Sequence, residues 1–134
     1  MQPGFVRDLQ GMLAGLEPKL HSEPYRFLSL PLEDANADWI DDPFAVIRED
    51  EGATFVVRSD VEGGNSDHFA RITLQVNSSL EGVGLTAAVA TGLAAEGIAC
   101  NVIAAFNHDH LFVPWDRREE ALAILKKLSD DVRR

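Results

Sequence analysis

Apolar residues recur along this chain in two rhythms, one near 3.6 residues and one of two. Phe5, Leu9, Met12, Leu13 and Leu16 form a helical stripe, which Gly11 and Gly15 weaken and Pro18 stops. Tyr25 to Leu30 reads as a short strand. Residues 31–43 hold Glu33, Asp34, Asp38, Asp41 and Asp42 around the apolar pair Trp39-Ile40, which predicts a loop with one helical turn. Phe44 to Arg48 and Thr54 to Arg58 then flank Glu49 to Ala53 as a hairpin, with Gly52 open to positive φ. Ser59 to Asp67, with Gly63-Gly64-Asn65-Ser66, is the candidate boundary between two halves. Phe69 to Val76 alternates, placing Ile72, Leu74 and Val76 on a buried face and Arg71, Thr73 and Gln75 on a wet or partner-facing one.

The segment from Leu80 to Glu96 is the strongest helix by pattern. Leu80, Val83, Ala87, Ala90 and Ala94 form its stripe, Val89 and Leu93 widen it, and Gly97 suits a left-handed C-terminal cap. Its small residues allow close approach to a sheet. Cys100 to Phe106 and Leu111 to Val113 predict a hairpin around Asn107-His108-Asp109-His110. A last helix starts at Asp116, with Asp116 and Glu119 as an acidic capping box and Ala121, Ile124, Leu125 and Leu128 facing the core. Strand–helix–strand units joined by hairpins build an antiparallel sheet with helices on one face, an α+β architecture. Each half is too small to bury much alone, so the two are expected to pack as one body.

Composition narrows the function classes. The 134 residues carry 22 acidic and 12 basic side chains, a formal net charge of −10, which works against binding a phosphate backbone. Hydrophobic content of 46% is ordinary for a globular chain and supports a folded core. Cys100, the single cysteine, allows neither an intramolecular disulfide nor a thiolate zinc cluster, and its apolar strand suggests an inert thiol. No basic-then-apolar leader or membrane-length apolar run occurs, so a cytoplasmic protein with no membrane partner is expected.

The candidate chemistry gathers between strand and helix. Ser78-x-x-Glu81 matches a capping box, and Gly82 and Gly84 let a ligand approach the backbone, with Asn77 beside them. A helix start exposes amides beside a positive dipole end, which suits a carboxylate. His108-Asp109-His110 could supply metal ligands, but no third ligand stands in fixed relation to the pair, and turn structure or ligand contact are the competing readings. No nucleophile elbow, phosphate loop or paired catalytic carboxylates are present. A binding module is therefore expected, with no catalytic residue, metal or cofactor.

The stretch from Ser78 to Ala88, then Gly97 to Ile103, then His108 to Val113, resembles the ACT domain. The chain is similar to small bacterial proteins with two such modules, and to the ACT modules of aspartate kinases and amino-acid sensors. The resemblance is specific over about residues 72–125 and diffuse over the first 60. It implies two ferredoxin-like βαββαβ-type modules packed together, an N-terminal one over residues 1–64 and a C-terminal one over 65–134. It also implies an effector, usually an amino acid, held at an interface between modules, and it admits a homodimer. Any aspartate-kinase label would reflect only that enzyme's regulatory part. The family's Asp-x-Pro-Gly turn falls on Glu81-Gly82-Val83-Gly84, with Val83 in the proline's place. Carried over, the implied ligand-binding residues are Asn77, Ser78, Ser79, Leu80, Glu81, Gly82, Val83, Gly84, Asn101, Val102 and Ile103. Amides near Ser79 to Gly82 would take an α-carboxylate, and Glu81, Asn77 or Asn101 the ammonium. The alternative is a protein–protein interaction or oligomerisation module without a small ligand.

Overall fold

A computed structural model describes residues 8–36, 40–59 and 68–133. The elements run α1 (Leu9–Ala14), β1 (Pro18–Leu30), β2 (Ala45–Glu49), β3 (Gly52–Arg58), β4 (Phe69–Leu74), α2 (Leu85–Ala94), β5 (Asn101–Ala104), β6 (Asp109–Pro114) and α3 (Arg118–Arg133). Short 3₁₀ turns occupy Leu32–Asp34 and Trp115–Arg117. The chain divides into a larger unit, residues 1–22 with 70–134, and a smaller one, residues 23–69. Phe5, Trp39, most of the Ser59–Asp67 boundary and Arg134 lie outside the described residues.

In the larger unit the strand order is β1–β4–β6–β5, with β5 and β6 antiparallel and Val102 opposite Leu111. A βαββαβ unit needs a strand after its last helix. Here the place flanking β4 is held by the start of β1, contributed from before the rest of the unit in sequence. The three helices share a core with one row of each strand: Met12, Leu13 and Leu16, Leu85, Val89 and Leu93, and Ala121 and Leu125 meet Ile72, Leu74, Leu111 and Val113. This is the ferredoxin-like arrangement, helices against one face of the sheet. In the smaller unit β2, β3 and the rest of β1 pair antiparallel around Ala35, Ala53, Phe55 and Val57, with Ile40 packed beside them. A Cβ at Gly52 would lie 2.5 Å from the Leu30 carbonyl oxygen, so this position requires glycine for close backbone approach.

Several sequence expectations change. The expected strand from Tyr25 begins seven residues earlier, at Pro18; two prolines and the polar run Lys19, His21, Ser22 and Glu23 disguise its alternation. Helix α2 starts at Leu85, not Leu80, because Gly84 at φ 101° breaks the helical path. Its buried row is Leu85, Val89 and Leu93, while Leu80 and Val83 are 58% and 81% exposed. The small residues of α2 serve helix–helix approach: a Cβ on Gly92 would come within 3.1 Å of Leu128 on α3. The other end of α2 follows expectation. Gly97 at φ 71° donates to the Ala94 carbonyl and Ile98 to that of Leu93, a Schellman motif closed by buried Ile98. Before α3, the chain makes a 3₁₀ turn in place of the acidic capping box, without a side-chain cap.

Candidate functional site

The capping box does not form. Ser79 turns its Oγ to the Glu81 amide at 3.1 Å, and the Ser79 carbonyl accepts from the Gly82 amide at 2.9 Å. These two bonds fold residues 79–82 into a local turn, the usual alternative use of a serine near a helix end. Helix α2 begins with no side-chain cap, so the amides of its first turn lack an intrahelical or side-chain acceptor. A Cβ on Gly84 would press within 3.3 Å of Leu9 on α1, so the turn is seated close to that helix.

Beside this turn lies a cavity of about 370 Å³. Ser78 to Leu80 and Gly82 to Ala87 form one wall, and Met12, Ala104 and Asp109 complete it. Of the residues expected to bind ligand, Ser78, Ser79, Leu80, Gly82, Val83 and Gly84 line the cavity. Asn77 and Glu81 are exposed neighbours outside its lining. Val102 packs against the core, while alternation turns Asn101 and Ile103 to the other sheet face. Sequence reasoning passed over Met12, Leu85, Thr86, Ala87, Ala104 and Asp109 as lining residues. The signal for Asp109 was present in its period-two alignment with Leu111 and Val113.

The expected hairpin tip is displaced toward the N-terminus. Ala105 donates to the His108 carbonyl, so the turn spans 105–108 and both Asp109 and His110 lie in β6. Asp109 pairs with Ala104 and faces the helices. Burial raises its carboxyl above the ordinary carboxylate range, against a smaller opposing effect of His108. Among the described residues no cluster of three or more His, Cys, Asp or Glu could hold a metal ion.

The opposite face of the sheet is polar and partly buried. Arg71 donates to Nδ1 of His21 at 3.2 Å, His21 Nε2 meets Thr73 Oγ1 at 2.7 Å, and Thr73 Oγ1 meets His110 Nδ1 at 3.0 Å. Because arginine can only donate, His21 Nδ1 accepts and its Nε2–H donates to the Thr73 hydroxyl, which in turn bonds His110. Thr73, expected on a wet or partner-facing side, is buried. Burial pushes the His110 imidazole down to about 4, reinforced by Arg71, His108 and His21. Cys100 is half-buried against the core, and burial lifts its thiol to about 11, which favours the protonated form. Trp115 packs on the core beneath the Arg118 guanidinium, 3.8 Å from its ring centroid.

Comparison with known proteins places this geometry in a family. ACT domain models match residues 5–61 and residues 66–127. A Vibrio cholerae crystal structure, a protein of unknown function described as a possible transport protein, is 41% identical over 86% of this chain and 91% of its own, with a TM-score of 0.72. An Agrobacterium tumefaciens protein is 20% identical over 84% of this chain and 87% of its own, TM-score 0.65. The regulatory subunit of aspartate kinase from Thermus flavus shares the fold at 12% identity, over 83% of this chain and 95% of its own, TM-score 0.62. No curated protein gives a significant match. No helix among the described residues is long and apolar enough to cross a membrane.

Proposed function

Because this chain belongs to the ACT domain family, we propose that it is a non-catalytic regulatory module, with its two ACT segments dividing near residues 64 and 65, that binds a small effector, an amino acid. The observation that carries this is the cavity where the 78–84 turn meets the first turn of α2. Its volume of about 370 Å³ suits a metabolite of amino-acid size. The Glu81 and Gly82 amides serve the turn itself, so the α-carboxylate is assigned to the amides of Leu85 to Ala87 at the positive end of α2. Glycines 82 and 84 keep the approach short. The Thermus flavus neighbour is itself a regulatory subunit, which lends the same role to this chain by analogy of fold. The test is a thermal-shift screen of the twenty common amino acids at millimolar concentration. At least one should raise the melting temperature, since a ligand that binds only the folded chain stabilises it by mass action.

A second reading, an interaction module without a small ligand, draws on exposed Leu80, Val83 and Phe106. It expects a flat screen together with a solution mass that rises with protein concentration.

A further inference from the structure

We infer that Asp109 is the residue that recognises the ammonium group of the effector, and that the effector is an α-amino acid with an uncharged side chain. This rests on the proposed binding function and narrows it. Period-two alternation sets Asp109 in the same row as Leu111 and Val113, the row that builds the apolar core beneath the helices. A carboxylate at the end of such a row breaks the pattern that folding alone would choose, and half-burial raises the cost of its charge. Among the described residues it makes no ion pair. It opens instead onto the cavity, where it is the only ionisable side chain among the lining residues.

A cation placed there would add counter-charge to the small effect of neighbouring His108, and a primary ammonium offers three donors to the carboxylate oxygens. The rest of the lining sets the side-chain class. Met12, Leu80, Val83 and Leu85 are apolar, and Ser78 and Thr86 are polar but uncharged. A second charge on the ligand, acidic or basic, would enter the cavity without a partner and bear the cost of desolvation. Lysine, arginine, aspartate and glutamate are thereby disfavoured, and uncharged amino acids selected.

The experiment compares the wild-type protein with Asp109→Asn by thermal shift and calorimetric titration. The probes are the uncharged L-amino acids, the deaminated carboxylic acid of whichever binds best, and lysine and glutamate. The expected result is binding by an uncharged amino acid, at least tenfold weaker binding of its deaminated acid to the wild type, and a comparable loss in Asp109→Asn. Equal binding of the deaminated acid, unchanged affinity in Asp109→Asn, or a charged amino acid as best ligand would each overturn the inference while leaving amino-acid binding standing. Silence from every amino acid on the wild type would remove both. The deaminated-acid arm uses only wild-type protein, so the test does not depend on how well the variant folds.

Discussion

The two faces of the sheet in the larger unit are built from the same strands and held together by different means. On one, Ile72, Leu74, Leu111 and Val113 lie beneath three helices, and closure comes from apolar area removed from water. On the other, Arg71, Thr73, His21 and His110 join in a hydrogen-bond chain, and buried Phe112 shares their side. Area tolerates small shifts in position, whereas a chain of hydrogen bonds does not. The helix-covered face should therefore carry most of the stability, and the polar face most of the sensitivity to protons.

Leu125→Ala should produce the largest effect. Leu125 is fully buried where α3 meets the core, and truncating such a leucine costs about 2–5 kcal/mol. Chemical denaturation should show a lower midpoint with an unchanged slope. A loss no greater than that of a polar-face variant would break the contrast between the faces.

The same contrast explains what the sequence could disclose. Ile72, Leu74 and Val76 announce their buried face by alternation alone, and Ala121, Leu125 and Leu128 do the same at helical spacing, because burial by area leaves a periodic trace. The polar face leaves none. Thr73 is 52 residues from His21 and 37 from His110, so nothing near it in the chain foretells its burial. The start of β1 was hidden similarly, since Lys19, His21 and Ser22 read as loop until the neighbouring strand is known. At the site, the glycines and serines of residues 78–84 were legible as a turn. The position of the helix start was not, because Ser78-x-x-Glu81 fits a capping box as well as it fits the Ser79 turn that forms. Asp109 was read as hairpin tip because Asn, Asp and His are ordinary turn residues, and only the register with Ala104 moves it into a strand.

Thr73→Val should rank second, at about 1–3 kcal/mol, because it keeps the shape and removes the hydroxyl on which both imidazoles depend. The polar face should also show in acid. His110 titrates near 4 in the folded chain and near its ordinary 6.5 when unfolded, so the unfolded state takes up the proton first. Stability contributed by the uncharged imidazole is present above pH 6.5 and declines as pH falls toward 4. Denaturation midpoints measured from pH 7.5 to 4 should fall in the wild type and fall less in His110→Asn. Equal slopes would remove His110 as the source.

The smallest effect is expected at the edge of the apolar face, and it has the opposite sign. Burial raises the Asp109 carboxyl, so its proton is held more tightly in the folded chain than in the unfolded one. Its favourable contribution is present below the ordinary carboxylate range and is lost as pH rises through the raised folded value. At pH 7 the charged carboxylate therefore destabilises the fold, and Asp109→Asn, of nearly the same shape, should melt slightly higher than the wild type. The gain should shrink as both proteins are taken below the carboxylate range, where Asp109 is neutral. A carboxylate that costs stability while lining a cavity accords with the ligand-recognising role proposed for it. Were Asp109→Asn to melt lower at pH 7, the carboxylate would be part of the scaffold, and the apolar face would be continuous through its last residue.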